Sequence, residues 1–271
     1  MKNLSNNVVV ITGAASGMGR EMAIQLANMN CNLALCDING VELEKTVLLI
    51  KNEKIKIKYD VLNVSDEKAV YEYAADVINY FGHVDRVINN AGKVVSDSLT
   101  DVSLDDFRLV MDINFWGVVY GTKAFLPYLL QRPDASIVNI SSVNAFIPFP
   151  NNGPYNCSKY AVCGLNESLH QELRNTNVKV LSVHPGGIRT NIVRNAKFIK
   201  GVNPKVSHEK SAKFFEKVAR TSASEAATKI ITAMRKDKKR LLIGADAYFF
   251  EYLKRLFPKF SVSFIGKMAS R

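Results

Sequence analysis

Apolar residues along the chain fall into two alternating rhythms. Continuous runs such as Val8-Val9-Val10-Ile11 and Leu33-Ala34-Leu35-Cys36 have the pattern of strands buried on both faces. Between the runs, apolar positions recur every three or four residues, as at Met22, Ala23, Leu26 and Ala27, or at Val70, Tyr73, Ala74, Val77 and Ile78. That is the pattern of helices with one buried face. Strands are predicted over 7–12, 32–36, 56–62, 85–88, 135–140, 178–183 and 240–244. Helices are predicted after the glycines of 13–19, over 39–53, from 65 onwards, over one long stretch of roughly 104–130, and over 154–174 and 223–236. This alternation predicts an α/β fold, a doubly wound parallel sheet with helices on both faces and its site at the carboxyl ends of the strands.

A chain of 271 residues, 47% of them hydrophobic, can bury a large core as one domain. The four cysteines (Cys31, Cys36, Cys157 and Cys163) form neither a Cys-x-x-Cys pair nor a metal-ligand spacing. The expectation is reduced thiols, no metal and a cytoplasmic setting. No apolar run reaches the roughly 18 residues that span a bilayer, and the N-terminus lacks a signal-peptide pattern. Charge changes the picture more. Residues 1–188 hold 16 Lys and Arg against 19 Asp and Glu, whereas residues 189–271 hold 20 against 6. The formal net charge of +11 therefore belongs to the last third, a clue about partners rather than fold.

Candidate chemistry begins where the first strand ends. Gly13-Ala14-Ala15-Ser16-Gly17-Met18-Gly19 joins that strand to a helix, an arrangement that cradles a pyrophosphate on backbone amides and a helix N-terminus. Asp37 ends the second strand, 18 residues after Gly19, where a carboxylate accepts from ribose hydroxyls and repels a 2′-phosphate. NAD(H) is thus preferred over NADP(H), which Arg20 nearby does not exclude. Further on, Tyr155 and Lys159 lie one helical turn apart on one face. An ammonium beside a phenol favours the phenolate, so the pair is expected to be an acid/base tyrosine drawn down towards working pH. Asn114, in the middle of the long predicted helix, is a mediocre helix former among apolar neighbours.

Thr12-Gly13-x-x-x-Gly17-x-Gly19, Asn89-Asn90-Ala91-Gly92, Asn114, Ser142, Tyr155-x-x-x-Lys159 and Pro185-Gly186 resemble, in order and spacing over about residues 7–190, the short-chain dehydrogenase/reductase family. The resemblance implies a single Rossmann-fold domain with a parallel sheet of about seven strands and a nicotinamide dinucleotide as hydride carrier. It implies that Tyr155 is the general acid/base, that Lys159 lowers its pKa and holds the nicotinamide ribose, that Ser142 holds the substrate oxygen, with Ser141 the near miss, and that Asn114 anchors a proton relay. Gly13, Ser16, Gly17, Met18, Gly19, Asn90 and Gly92 would line the cofactor cleft, and Gly186, Ile188 and Thr190 would meet the nicotinamide end. The family's Asp-Val pair beside adenine has Asp60-Val61 as one candidate, but ungapped spacing from Asn89-Asn90 assigns the role to Asn63 and Val64. The implied enzyme is an alcohol dehydrogenase or carbonyl reductase acting on CH–OH donors, in a homodimer or homotetramer built through helices 104–131 and 154–174. The alternative is a catalytically silent dinucleotide-binding regulator or a membrane-associated scaffold.

Cys157 is turned about 200° from Tyr155 on its helix, and His184 is expected to be a satisfied polar residue at the cleft rim. Ala145, Phe146, Ile147 and Phe149, after the serines, suggest an apolar secondary alcohol or ketone as substrate, or else core residues. The Rossmann domain is expected over 1–245, including a substrate-covering loop at about 188–222. The segment 246–271 is expected to be a basic amphipathic tail packed on the domain, on another subunit or on anionic lipid. No nucleic-acid reading module is present.

Overall fold

The computed structural model of the chain describes residues 1–190, 196–199 and 219–269. Seven strands form one parallel sheet: β1 (Val8–Thr12), β2 (Asn32–Asp37), β3 (Ile57–Val61), β4 (Arg86–Asn89), β5 (Ala135–Ile140), β6 (Val178–Pro185) and β7 (Arg240–Ile243). They run in the order β7-β6-β5-β4-β1-β2-β3. The order reverses beside β1, so the crevice outside β1 and β4 is where a doubly wound sheet binds its ligand. Each predicted strand is present within one or two residues, and the α/β Rossmann architecture is as the alternation and the resemblance imply.

Burial explains the continuous apolar runs. Val9 and Ile11 of β1 join one core layer with Met22, Leu26, Leu33, Leu35 and Ile231. Val8 and Val10 point to the other face and join Val77, Val87, Phe125, Leu129 and Ile137. A central strand packed on both faces has no position for a polar residue, which removes the usual alternation.

Helices α1 (Gly17–Ala27), α2 (Gly40–Leu49) and α3 (Glu67–Phe81) follow the first three strands. The long helix predicted at 104–130 is interrupted: α4 (Leu104–Met111) runs into a π-helical turn at Asp112–Trp116 and continues as α5 (Gly117–Leu129). Asn114 sits in that wide turn, fully buried. A π turn admits one extra residue and re-aims its side chains, a distortion found mostly at functional sites. α6 (Gly153–Glu172) opens with Pro154 in its first turn, as predicted, and α7 (Ala223–Met234) precedes β7. The chain then forms α8 (Ala245–Leu256) and α9 (Pro258–Ala269), the second starting at the proline that cannot continue the first. Most of the expected covering loop at 188–222 lies outside the described residues. Its described parts include Ile188–Arg189, paired with Thr221–Ser222, and Lys197–Phe198, paired with Val95–Ser96.

Candidate functional site

The carboxyl ends of six strands and two helix starts build the site. After β1 the chain turns through Gly13 and Gly17, whose φ angles of +67° and +53° suit only glycine comfortably. Gly19 is packed so closely that a Cβ there would stand 2.1 Å from the Gly13 carbonyl oxygen. Ser16 is the N-cap of α1, yet its side chain caps nothing and the first turn holds no acid. The amides of this helix start are therefore open to an anion, with the positive end of the helix behind them. A nicotinamide dinucleotide fits this turn, because the helix start offers uncapped backbone donors and the positive end of the helix.

Asn90 locks the turn from β4. Its side-chain amide donates to the Thr12 and Gly13 carbonyls at 3.0 and 3.1 Å, and its backbone NH donates to the Thr12 hydroxyl at 3.0 Å. Thr190 sits over the same turn, its Cγ2 3.2 Å from where a Gly17 Cβ would be. Asp37 ends β2 with its carboxylate accepting from the Ala15 and Asn39 amides at 3.0 and 2.9 Å. Arg20 turns away from this acid. Its guanidinium donates to the Thr46 hydroxyl and the Glu42 carboxylate, both at 2.9 Å, and to the Ala15 carbonyl. Asp60 is a strand residue of β3 paired with Lys58 at 2.8 Å. Asn63, beyond the strand, accepts from the Ser65 amide and hydroxyl at 3.2 and 2.8 Å, with Val64 buried beside it.

The reactive group stands at the end of β5. Ser142 is the N-cap of a short 3-10 turn, Val143–Ala145, and its hydroxyl accepts from the Asn144 amide at 3.1 Å. Ser141 instead donates to the Lys159 carbonyl at 3.0 Å, anchoring α6 rather than facing the cleft. Lys159 is 3% exposed; its ammonium donates to the Ile140 carbonyl at 2.9 Å and lies 5.5 Å from the centre of the Tyr155 ring. Asn114 bridges the backbone of Lys93, accepting from its amide at 2.7 Å and donating to its carbonyl at 2.9 Å, and it also donates to the Ser158 hydroxyl at 3.1 Å. A Cβ at Gly92 would be 3.3 Å from the Asn114 side-chain Oδ1 and 3.8 Å from the Lys159 ammonium, so these two groups border one small space.

One expectation is corrected here. The Tyr155 phenol is pushed above the ordinary tyrosine value, by burial, with the Ser142 hydroxyl pulling the other way. Lys159 is itself pushed down to about 8 by burial. The reason is that desolvation opposes both charged forms at once, while the ammonium is engaged by a backbone carbonyl. The sequence shows the spacing of the pair but not the depth at which the fold places it.

Behind Ser142 runs a line of buried side chains. Asn89 donates to Asn139 and Asn139 to Asn166, both at 2.8 Å, and Asn166 donates to the Ser182 hydroxyl at 3.0 Å. Ser182, having accepted there, gives its proton to His184 Nε2 at 2.9 Å. The imidazole proton is then on Nδ1, which donates to the Ser142 carbonyl at 3.2 Å. Burial first, then Arg240, push His184 down to about 4, so it stays neutral at ordinary pH. His184 is satisfied, as expected, but it is fully buried under the site rather than at the rim.

Two segments outside the expected set complete the neighbourhood. Asp246, at the start of α8, accepts from the Gly187 amide at 2.6 Å, and a side chain at Gly186 would strike its carboxylate at 2.2 Å. The Pro185-Gly186-Gly187 turn is thus held by the C-terminal helix, a contact whose only sequence signal is an acid two residues after Gly244. Of the apolar residues after the serines, Ala145 and Ile147 are buried in the core. Phe146 packs on His184 and under the Arg240 guanidinium, and Phe149 meets Phe250 of α8 edge-on at 5.5 Å. Cys157 is exposed on α6, consistent with its position two residues after Tyr155.

The model for the short chain dehydrogenase family matches residues 7–198. SadH of Mycobacterium tuberculosis, whose name marks it as an oxidoreductase, is 38% identical over 259 residues, 94% of this chain and 92% of its own length. Dehydrogenase/reductase SDR family member 7B of Xenopus tropicalis is 32% identical over 275 residues, 99% of this chain and 87% of its own. Among solved structures, a short chain dehydrogenase/reductase from Burkholderia phymatum in complex with NAD matches with a TM-score of 0.84 at 27% identity, covering 94% of this chain and 96% of that one.

Proposed function

The chain belongs to the short-chain dehydrogenase/reductase family, and from that premise we propose an oxidoreductase that interconverts an apolar secondary alcohol and its ketone with NAD(H). The observation that carries this reading is the convergence of Ser142, Tyr155 and Lys159 at the end of β5, beside a glycine turn whose helix start is open to an anion. A dinucleotide's pyrophosphate would lie on Gly13, Ser16, Gly17, Met18 and Gly19, its ribose on Asp37 and its adenine beside Asn63 and Val64. Its nicotinamide end would meet Asn90, Gly92, Tyr155, Lys159, Gly186, Ile188 and Thr190. When bound, that group supplies the two-electron acceptor for alcohol oxidation and the donor for carbonyl reduction.

The chain's own residues handle the proton. Ser142 orients the substrate oxygen towards the Tyr155 phenol. In oxidation the phenolate takes the hydroxyl proton as the carbinol C–H bond breaks, and in reduction the phenol returns it. Lys159 provides a buried positive charge 5.5 Å from the centre of the Tyr155 ring, and Asn114, bordering the same space, relays protons between Lys159 and solvent. The acid at Asp37, with Arg20 directed at α2, favours NAD(H) over NADP(H). α4, the π turn, α5 and α6 carry exposed Leu109, Trp116, Leu130 and Tyr160, which suits assembly into a homodimer or homotetramer.

A spectrophotometric screen of aliphatic, aromatic and polycyclic alcohols and ketones, run with both coenzymes, tests this reading. Turnover of apolar secondary alcohols or their ketones with NAD(H) is expected. Preference for NADP(H) overturns the argument from Asp37, and coenzyme binding without turnover of any carbonyl compound overturns the reaction.

A further inference from the structure

We propose that α8 and α9 form a docking surface for a bilayer containing anionic lipid, lying in its interface rather than crossing it. Tyr248, Phe249, Tyr252 and Leu256 are all exposed, Leu256 to 68%. At about 100° per residue these four fall within an arc of about 100°, a coherent apolar stripe turned outward. The patch continues across the helix break through exposed Phe257 and Phe260. Ring contacts join its parts: Phe249 meets Phe264 at 6.4 Å, and Phe264 meets Phe260 at 5.8 Å. Concentrated exposed aromatic area of this kind marks an interaction site.

Charge decides the partner. Over residues 245–267 the basic residues are Lys254, Arg255, Lys259 and Lys267, and the acids are Asp246 and Glu251. Both acids are engaged inward. Asp246 holds Gly187, and Glu251, 5% exposed, takes Arg240 through two bonds of 2.6 and 2.7 Å and Arg255 at 2.5 Å. At about 100° per residue Arg255 falls beside the stripe and half-buried Lys254 on the opposite side of α8, so the outward face is aromatic with exposed Arg255 and Lys259 as its cations. Anionic headgroups complement these cations, and the aromatic rings suit the headgroup boundary. No helix among the described residues is long and apolar enough to cross a membrane, and α8 and α9 have 12 residues each, so the pair lies flat.

The same helix pair is tied to the cleft, through Asp246 on Gly187 and Phe250 on Phe149. Seating it on lipid would hold the site close to alcohols and ketones dissolved in the bilayer. That consequence rests on the proposed function, while lipid binding itself does not.

Co-sedimentation of the full chain with phosphatidylcholine vesicles, with and without about one third phosphatidylglycerol, tests the surface without measuring turnover. Binding to the anionic vesicles, released by salt, is expected. Arg255→Gln with Lys259→Gln should weaken it by about twenty-fivefold, about fivefold per charge. Tyr252→Ser with Leu256→Ser should weaken it at least as much, with an unchanged melting curve showing that the fold is intact. Absence of binding, or equal salt-insensitive binding to neutral vesicles, overturns the proposal. So does self-association of the wild type that the serine variant abolishes while no vesicle binds, because that assigns the face to a second copy. Any of these failures leaves the oxidoreductase reading standing.

Discussion

The carboxyl edge of the sheet and the C-terminal helix pair each place residues against their own solubility, in opposite senses. The cleft buries polar groups: Asn89, Asn114, Asn139, Asn166, Lys159 and His184 are each no more than 3% exposed. The helix pair exposes apolar ones: Phe249, Tyr252, Leu256, Phe257 and Phe260 are each more than half exposed. The buried polar groups are tolerated because hydrogen bonds from distant parts of the chain meet them, the side-chain oxygen of Asn89 excepted, so the site cannot be separated from the fold. The exposed rings serve no such internal purpose on their outer side. Misplaced polarity inside points to chemistry, and misplaced apolarity outside points to a partner.

The largest effect that would break this contrast is at Tyr155. Tyr155→Phe keeps the ring and removes the proton carrier, so turnover should fall by about 10³-fold while stability and coenzyme affinity change little. Steady-state rates beside a coenzyme titration check it, and a variant of near-normal rate refutes the role of the phenol. The next effect belongs to Lys159, pushed by burial from 10.5 down to about 8. Between those pH values the unfolded chain holds a proton that the folded chain has released, so the coenzyme-free protein should gain stability as pH rises through the window. Below the window the buried ammonium costs about 3 kcal/mol. Denaturant unfolding across that range, compared with Lys159→Met, should show a rise in the wild type that the variant lacks.

Strand positions are legible in the sequence because a strand buried on both faces allows few substitutes for Val8 to Ile11 or Ile137 to Ile140, and the glycine turn is legible because positive φ angles restrict Gly13 and Gly17. The spacing of Tyr155 and Lys159 puts them one helical turn apart, whereas Ser142 is singled out only through the resemblance to the family's motifs. The π turn at Asn114 is not legible, since it is fixed by Lys93 and Ser158, which lie far away in the chain. The direction of the Tyr155 shift is hidden for the same reason, because burial is a tertiary property that residue spacing does not encode. Asp246 has only its place at a helix start to announce it, whereas its partner, the Gly187 amide, lies 59 residues earlier in the chain.

The smallest expected effect separates the two regions most cleanly. Tyr252 is 60% exposed on α8, and its neighbours on that stripe are exposed as well. If the stripe contributed to the fold, as cleft residues do, Tyr252→Ser would cost about as much as removing a buried contact, on the order of 2 kcal/mol or more. An outward-facing ring instead predicts a change within about half a kcal/mol. Thermal unfolding of the coenzyme-free chain measures the difference directly. A large loss would mean that α8 packs by its aromatic face, and the stripe would then belong to the domain rather than to a partner. An unchanged midpoint leaves the outer rings as surface held ready for contact, attached through Asp246 to the turn that closes the cleft.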